Sequence, residues 1–207
     1  MAITYPLTAP TTGKRAIRWR TISAVAAHRS PFTFTEDVQV WAGQNWAIDV
    51  SLAPMKRAAA EEWISFLISL NGRQGTFLLG DPTAATPRGT APGAPLVKGT
   101  QAGGLNTLAT DGWTAGQTGI LLRGDFIQLG SGATTRLHKV LTDTNSNGSG
   151  EATLDIWPSI RKEGATDNAA IVTSACKNTW RLASNESEWD VGEAQIYGLQ
   201  FSAVGTL

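Results

Sequence analysis

Cysteine occurs once in the 207 residues and histidine twice, so the chain has little from which to build a disulfide or a metal centre. The lone Cys176 excludes an internal disulfide and suits folding in a reducing cytosol, where it reads as a small buried hydrophobe. His28 and His138 lie in neither a His-x-x-x-His nor a Glu-x-x-His spacing, which argues against zinc. Charge of one sign is also lacking, since 17 Lys and Arg balance 17 Asp and Glu. No global field is therefore available to attract phosphate backbones or anionic membranes, and nucleic-acid specificity is not expected. No apolar run reaches the length of a membrane span, and Met1 to Pro6 carry neither the basic flank nor the apolar run of a signal peptide. The expectation is a protein soluble where it is made, without membrane insertion.

Catalytic signatures are missing too. No serine occupies a Gly-x-Ser-x-Gly elbow, and Gly103-Gly104 and Gly130-Ser131-Gly132 lack the residues that turn a glycine pair into a phosphate cradle. The carboxylate pairs Glu36/Asp37 and Asp125/Asp155 have spacings that any acidic loop or strand set produces. His138, beside Lys139, reads as a cross-strand partner. No catalytic residue, cofactor or metal ligand is expected, and the chain is read as a non-enzyme.

What the chain does have is 22 glycines and eight tryptophans, many turns combined with large packing surfaces. Alternation marks strands at Ala16 to Ile22, Phe32 to Val40 and Trp46 to Leu52, with Ala42-Gly43-Gln44-Asn45 reading as the hairpin connection between the last two. Ala60, Trp63, Ile64, Leu67 and Leu70 then fall at helical spacing, predicting a helix over about 55–71 that docks on a sheet. Pro54 suits its first turn and Asn71-Gly72 its stop. Thr76 to Leu79 reads as a strand closed by Gly80-Asp81-Pro82. From Ala170 alternation returns, ending in Glu193 to Val204, where Gln195, Tyr197, Leu199, Phe201 and Ala203 share one side and the strand is placed to pair with Trp46 to Leu52. The expected structural core residues are Trp63, Leu67, Phe77, Trp46 and Phe201.

The Trp- and Leu-bearing helix, followed by Asn71-Gly72-x-x-Gly75-x-Phe77 and a strand ending in Asp81-Pro82, resembles the core segment of tail-tip proteins of long-tailed bacteriophages. These are the distal tail (Dit-like) and related minor tail proteins. Trp46 to Met55 and Tyr197 to Val204 extend the likeness to about half the chain.

Between the two halves of that segment the composition changes. Thr83 to Pro95 is rich in Pro and Gly, a linker or extended loop, and short strand candidates follow at Leu96-Val97, Gly119 to Leu122, Asp125 to Leu129, Arg136 to Leu141 and Ala152 to Trp157. We read residues 83–165 as an inserted small β-barrel or sandwich domain within a discontinuous β-rich core of residues 1–82 and 166–207. The expected class is mainly β: antiparallel sheets, one packed helix and a β insertion. Leu122-Arg123-Gly124-Asp125 and Trp157-Pro158-Ser159-Ile160-Arg161 are similar to a β-module found within phage tail-tip proteins.

The resemblance implies a structural virion protein of the tail tip or baseplate, a homo-hexameric ring joining the tail tube protein to the hub and receptor-binding apparatus, assembled in the host cytoplasm. Two rival readings stand beside it. Asn106 and Trp113 offer polar and aromatic surface for a host-surface glycan, which would make the insertion a carbohydrate-binding module. A cell-wall-degrading hydrolase is the other.

Overall fold

The computed structural model describes residues 3–13, 15–192 and 196–206. The fold is mainly β, as expected, with two curled sheets and, among the described residues, one α-helix. The larger sheet contains β1 (Leu7–Thr8), β2 (Arg15–Arg29), β3 (Glu36–Lys56), β4 (Phe77–Leu79), β10 (Asn178–Leu182), β11 (Trp189–Val191) and β12 (Ile196–Gly205), and α1 spans Arg57–Ser69. Its order is β1-β4-β10-β12-β3-β2, with β11 alongside β12. The smaller sheet has the order β5-β6-β9-β8-β7, formed by β5 (Gly93–Val97), β6 (Thr107–Trp113), β7 (Phe126–Leu129), β8 (Arg136–Val140) and β9 (Ala152–Trp157). All pairings are antiparallel except β1 with β4.

The helix carries the predicted stripe. Ala60, Trp63, Ile64, Leu67 and Leu70 are all buried, Trp63 completely. Phe66, outside the expected set, joins them and meets Trp63 and Phe77 edge to face at 5.9 and 5.4 Å. Asn71 and Gly72 take left-handed conformations just past the helix, which is the geometry of a C-terminal stop. The start differs from expectation. Pro54 remains in β3, where Ala53 and Pro54 bulge opposite Gly198, so a residue without an N–H costs no ladder bond and the helix begins three residues later.

The last strand pairs with β3 as the alternation predicted, with Phe201 opposite Val50 and Ala203 opposite Ile48. Gln195 lies outside the described residues. A second correction concerns the first hairpin. Phe32 to Thr35 form its turn, and Ala42 to Asn45 run on as strand, so β3 is one strand of 21 residues. The cause is local. Ser30 Oγ accepts from the N–H groups of Phe32 and Thr33, and Phe34 turns to φ +59°, which reverses the chain at Ser30-Pro31. Gly43 sits instead at a bulge between Ser23 and Val25 on the partner strand. A β-carbon there would lie 3.0 Å from that of Ala24, so glycine eases a tight strand contact rather than making a turn.

Two apolar cores result. The first lies between α1 and the larger sheet and continues to the smaller one, because Phe126 and Leu137 are buried in it and Trp157 packs against it. The second fills the smaller sheet with Val97, Leu108, Trp113, Ile127, Leu154 and Ile156. The β7–β8 hairpin lies between them, giving Phe126 and Leu137 to one core and Ile127, Leu129 and Val140 to the other. Strand alternation makes this possible, since neighbouring residues face opposite sides. Buried indoles find acceptors: Trp63 Nε1 donates to Thr12 O at 3.0 Å, Trp46 to Leu137 O at 2.9 Å, Trp180 to Leu79 O at 2.8 Å and Trp113 to Thr110 Oγ1 at 2.8 Å.

Candidate functional site

The feature that packing leaves unexplained is the outer half of the β2–β3 hairpin. A strand of 21 residues spans about 70 Å at about 3.3 Å per residue. A compact domain of this length has a radius of gyration of about 17 Å, so one end must project. β12 pairs with β3 only between Ala47 and Lys56, and residues 36–46 have β2 as their strand neighbour. Among the described residues the projecting part is a two-stranded ribbon that pairs with no third strand on either edge.

Its side chains are sorted by face. Val25 stands opposite Val40 and Ala27 opposite Val38, so these four share one side, while Ala26, Gln39, His28 and Asp37 share the other. Val40 is 64% exposed, and at the turn Phe34 is 66% and Phe32 91% exposed. Trp41, Ile22, Val25 and Val38 are exposed as well. Arg29 covers the Phe34 ring at 4.9 Å and stands opposite Glu36, with Asp37 opposite His28 beside them. A two-stranded hairpin is marginally stable alone in water, and clustered exposed apolar side chains mark interaction surfaces.

The root of the arm is fixed. Arg161 Nη1 donates to Gln44 O at 3.1 Å and Nη2 to Asn45 Oδ1 at 3.3 Å, Ser159 N donates to Gln44 Oε1 at 2.7 Å, and Asn45 Nδ2 donates to Gly205 O at 2.9 Å. Loop 158–161 and the end of β12 therefore clamp the ribbon where it leaves the body.

The residues singled out from sequence lie elsewhere. Trp63, Leu67, Phe77 and Trp46 are buried in the first core, and Phe201 is half-buried beside it, with its ring 6.0 Å from that of Trp63. No protein-family model matches the chain, and no curated protein does.

The remaining candidates resolve into structural roles. Asp125 is buried, and its carboxylate accepts from the N–H groups of Arg88, Gly89 and Leu122 at 2.7, 3.0 and 2.8 Å, tying the stretch before β5 to the turn before β7. Asp155 accepts from Thr142 Oγ1 at 2.8 Å on a different strand, and Glu36 and Asp37 lie on the arm. Trp113 fills the second core and is not surface for a glycan, because it belongs to β6, a strand that Asp111-Gly112 hides in the sequence pattern. Asn106 is exposed. Burial pushes the Cys176 thiol up to about 12, and its S–H lies 3.2 Å from Val172 O. Among the described residues no group of three or more His, Cys, Asp or Glu is placed to hold a metal ion, and no helix is long and apolar enough to cross a membrane.

Proposed function

We propose that the protein is a structural, self-assembling component of a phage tail tip, whose copies join into a ring by laying the β2–β3 arm of one protomer on the body of the next. The arm carries this reading: an apolar-faced, open-edged ribbon with a clamped root is costly for a protein that works alone. Covered by a neighbour, its valines and phenylalanines leave water and its free strand edges gain partners. A contact between an arm and a different surface of the next copy is heterologous, and such contacts close into rings when the rotation permits. The zero formal charge supports it, since copies carry no net repulsion.

The likeness of the helix, the Asn71 to Phe77 turn and the Asp81-Pro82 strand end to distal tail proteins supplies the rest. On that likeness the ring is a hexamer in the virion, set between the tail tube and the baseplate hub, with no catalytic step of its own. The test is assembly. Val38→Glu with Val40→Glu places two carboxylates on the arm's apolar face without touching either core. Light scattering and electron microscopy of the wild-type chain should show a closed oligomer, and the double variant should remain a folded monomer. A wild-type chain that stays monomeric in solution and also in assembled tails would overturn the reading.

A further inference from the structure

The β8 strand and the loop after β9 enclose a cleft of about 360 Å³, in the range of small-ligand sites. Arg136 and His138 point into it from one face of β8, two residues apart, and Arg161 enters from the loop. Leu129 and Ile160 supply apolar wall, and the exposed Glu163 is the carboxylate at the rim. On a chain without net charge this is a local concentration of cationic groups.

Their partners are incomplete. Arg136 uses Nη1 on the carbonyls of Ala133 and Thr135, at 3.1 and 3.0 Å, and its Nε and Nη2 donate to no other group among the described residues. Arg161 spends Nη1 and Nη2 on the root of the arm. Neither guanidinium lies within 4 Å of a carboxylate among the described residues. His138 is 2% exposed, and its Nδ1 lies 2.7 Å from Pro158 O. A carbonyl only accepts, so Nδ1 carries the proton and Nε2 keeps a free lone pair, with no partner among the described residues. Burial lowers both arginines from their ordinary value, Arg136 lowers Arg161 further, and the Glu163 carboxylate at the rim partly offsets this for both.

The geometry points to a binding site for a carboxylate carried on a small hydroxylated ring. The Arg136 fork would take the carboxylate, with Arg161 adding charge, His138 Nε2 would accept from a ring hydroxyl, and Leu129 and Ile160 would cover a C–H face. This inference stands apart from ring assembly, because the cleft lies within one protomer.

The full-length protein should be titrated at low ionic strength by calorimetry or by amide chemical shifts with glucuronate, glucose and inorganic phosphate. Glucuronate should bind saturably, more tightly than phosphate, and glucose should not. Arg136→Gln should weaken glucuronate at least about tenfold. Glu163→Gln, at an exposed position that no fold contact requires, should tighten it by about twofold to fivefold. A structural role for Arg136 alone would leave the Glu163 variant unchanged. Failure of glucuronate to bind the wild type, an equal response to glucose or phosphate, or glucuronate affinity insensitive to both substitutions would overturn the assignment.

Discussion

Trp46 is the side chain on which the two sheets most visibly converge. It lies on β3 of the larger sheet, is 4% exposed, and meets Trp19 at 5.4 Å, Trp157 at 4.4 Å and Phe126 at 6.1 Å between ring centroids. Its Nε1 donates to Leu137 O on the smaller sheet. Trp46→Ala should remove about 3–5 kcal/mol of burial and packing, and about 1 kcal/mol more for the lost hydrogen bond. Trp46→Phe keeps most of the apolar area and removes the donor, and should cost about 1–2 kcal/mol. With a urea slope of about 2–3 kcal/mol/M, the alanine variant should lose roughly 1.5–2.5 M in midpoint and the phenylalanine variant about 0.5 M. The assay is urea unfolding followed by both far-ultraviolet dichroism and tryptophan fluorescence, because a shared core predicts that the two curves coincide in the wild type. A midpoint moved by less than about 0.5 M in Trp46→Ala would refute this account of the junction. So would a wild-type curve with two separate transitions.

Other consequences follow from the same contacts. Trp63→Ala should cost about 3–5 kcal/mol, read as a urea midpoint shift, since the indole is fully buried between α1 and the sheet and its Nε1 ties Thr12. Burial, with Arg161 and Arg136 nearby, holds His138 down at about 4, below its ordinary 6.5. The unfolded chain therefore binds more protons between these two values, so stability should be full above about pH 6.5 and fall by roughly 3 kcal/mol as pH drops to about 4. His138→Gln should flatten that part of a stability-against-pH profile. Asp125→Ala should strip three N–H groups of their acceptor and cost about 2–4 kcal/mol, with Asp125→Asn recovering part of it in thermal unfolding. Val40→Thr on the arm should change monomer stability by less than about 0.5 kcal/mol, because the position is already wet.

How much of this was legible in the sequence depends on how local the cause is. The stripe of α1 could be read because Ala60, Trp63, Ile64, Leu67 and Leu70 repeat at 3.6 residues and all face one sheet. β12 and its pairing with β3 followed from period-two alternation. The arm is not legible in the sequence because Gly43 carries the chemistry of a turn while serving a bulge, and because Phe32 and Phe34 alternate like strand residues while forming the turn. Exposed apolar side chains violate the rule by which alternation is interpreted, and such violations concentrate where a surface awaits a partner. β6 was hidden by Asp111-Gly112, and β11 is three exposed residues with no pattern to detect. Arg136 and Arg161 could not be paired from sequence, because packing of a loop on β8, not spacing, brings them to one cleft.

If copies of this chain meet through the β2–β3 arm, the contact is visible in an image of the assembled state. Electron microscopy of the purified full-length protein, and of tails built in its presence if closure needs a template, should resolve a closed ring in which each arm lies on the neighbouring protomer and Val25, Val38, Val40, Phe32 and Phe34 are covered. An image with one copy per particle, or a ring in which those five side chains remain in solvent, would contradict it.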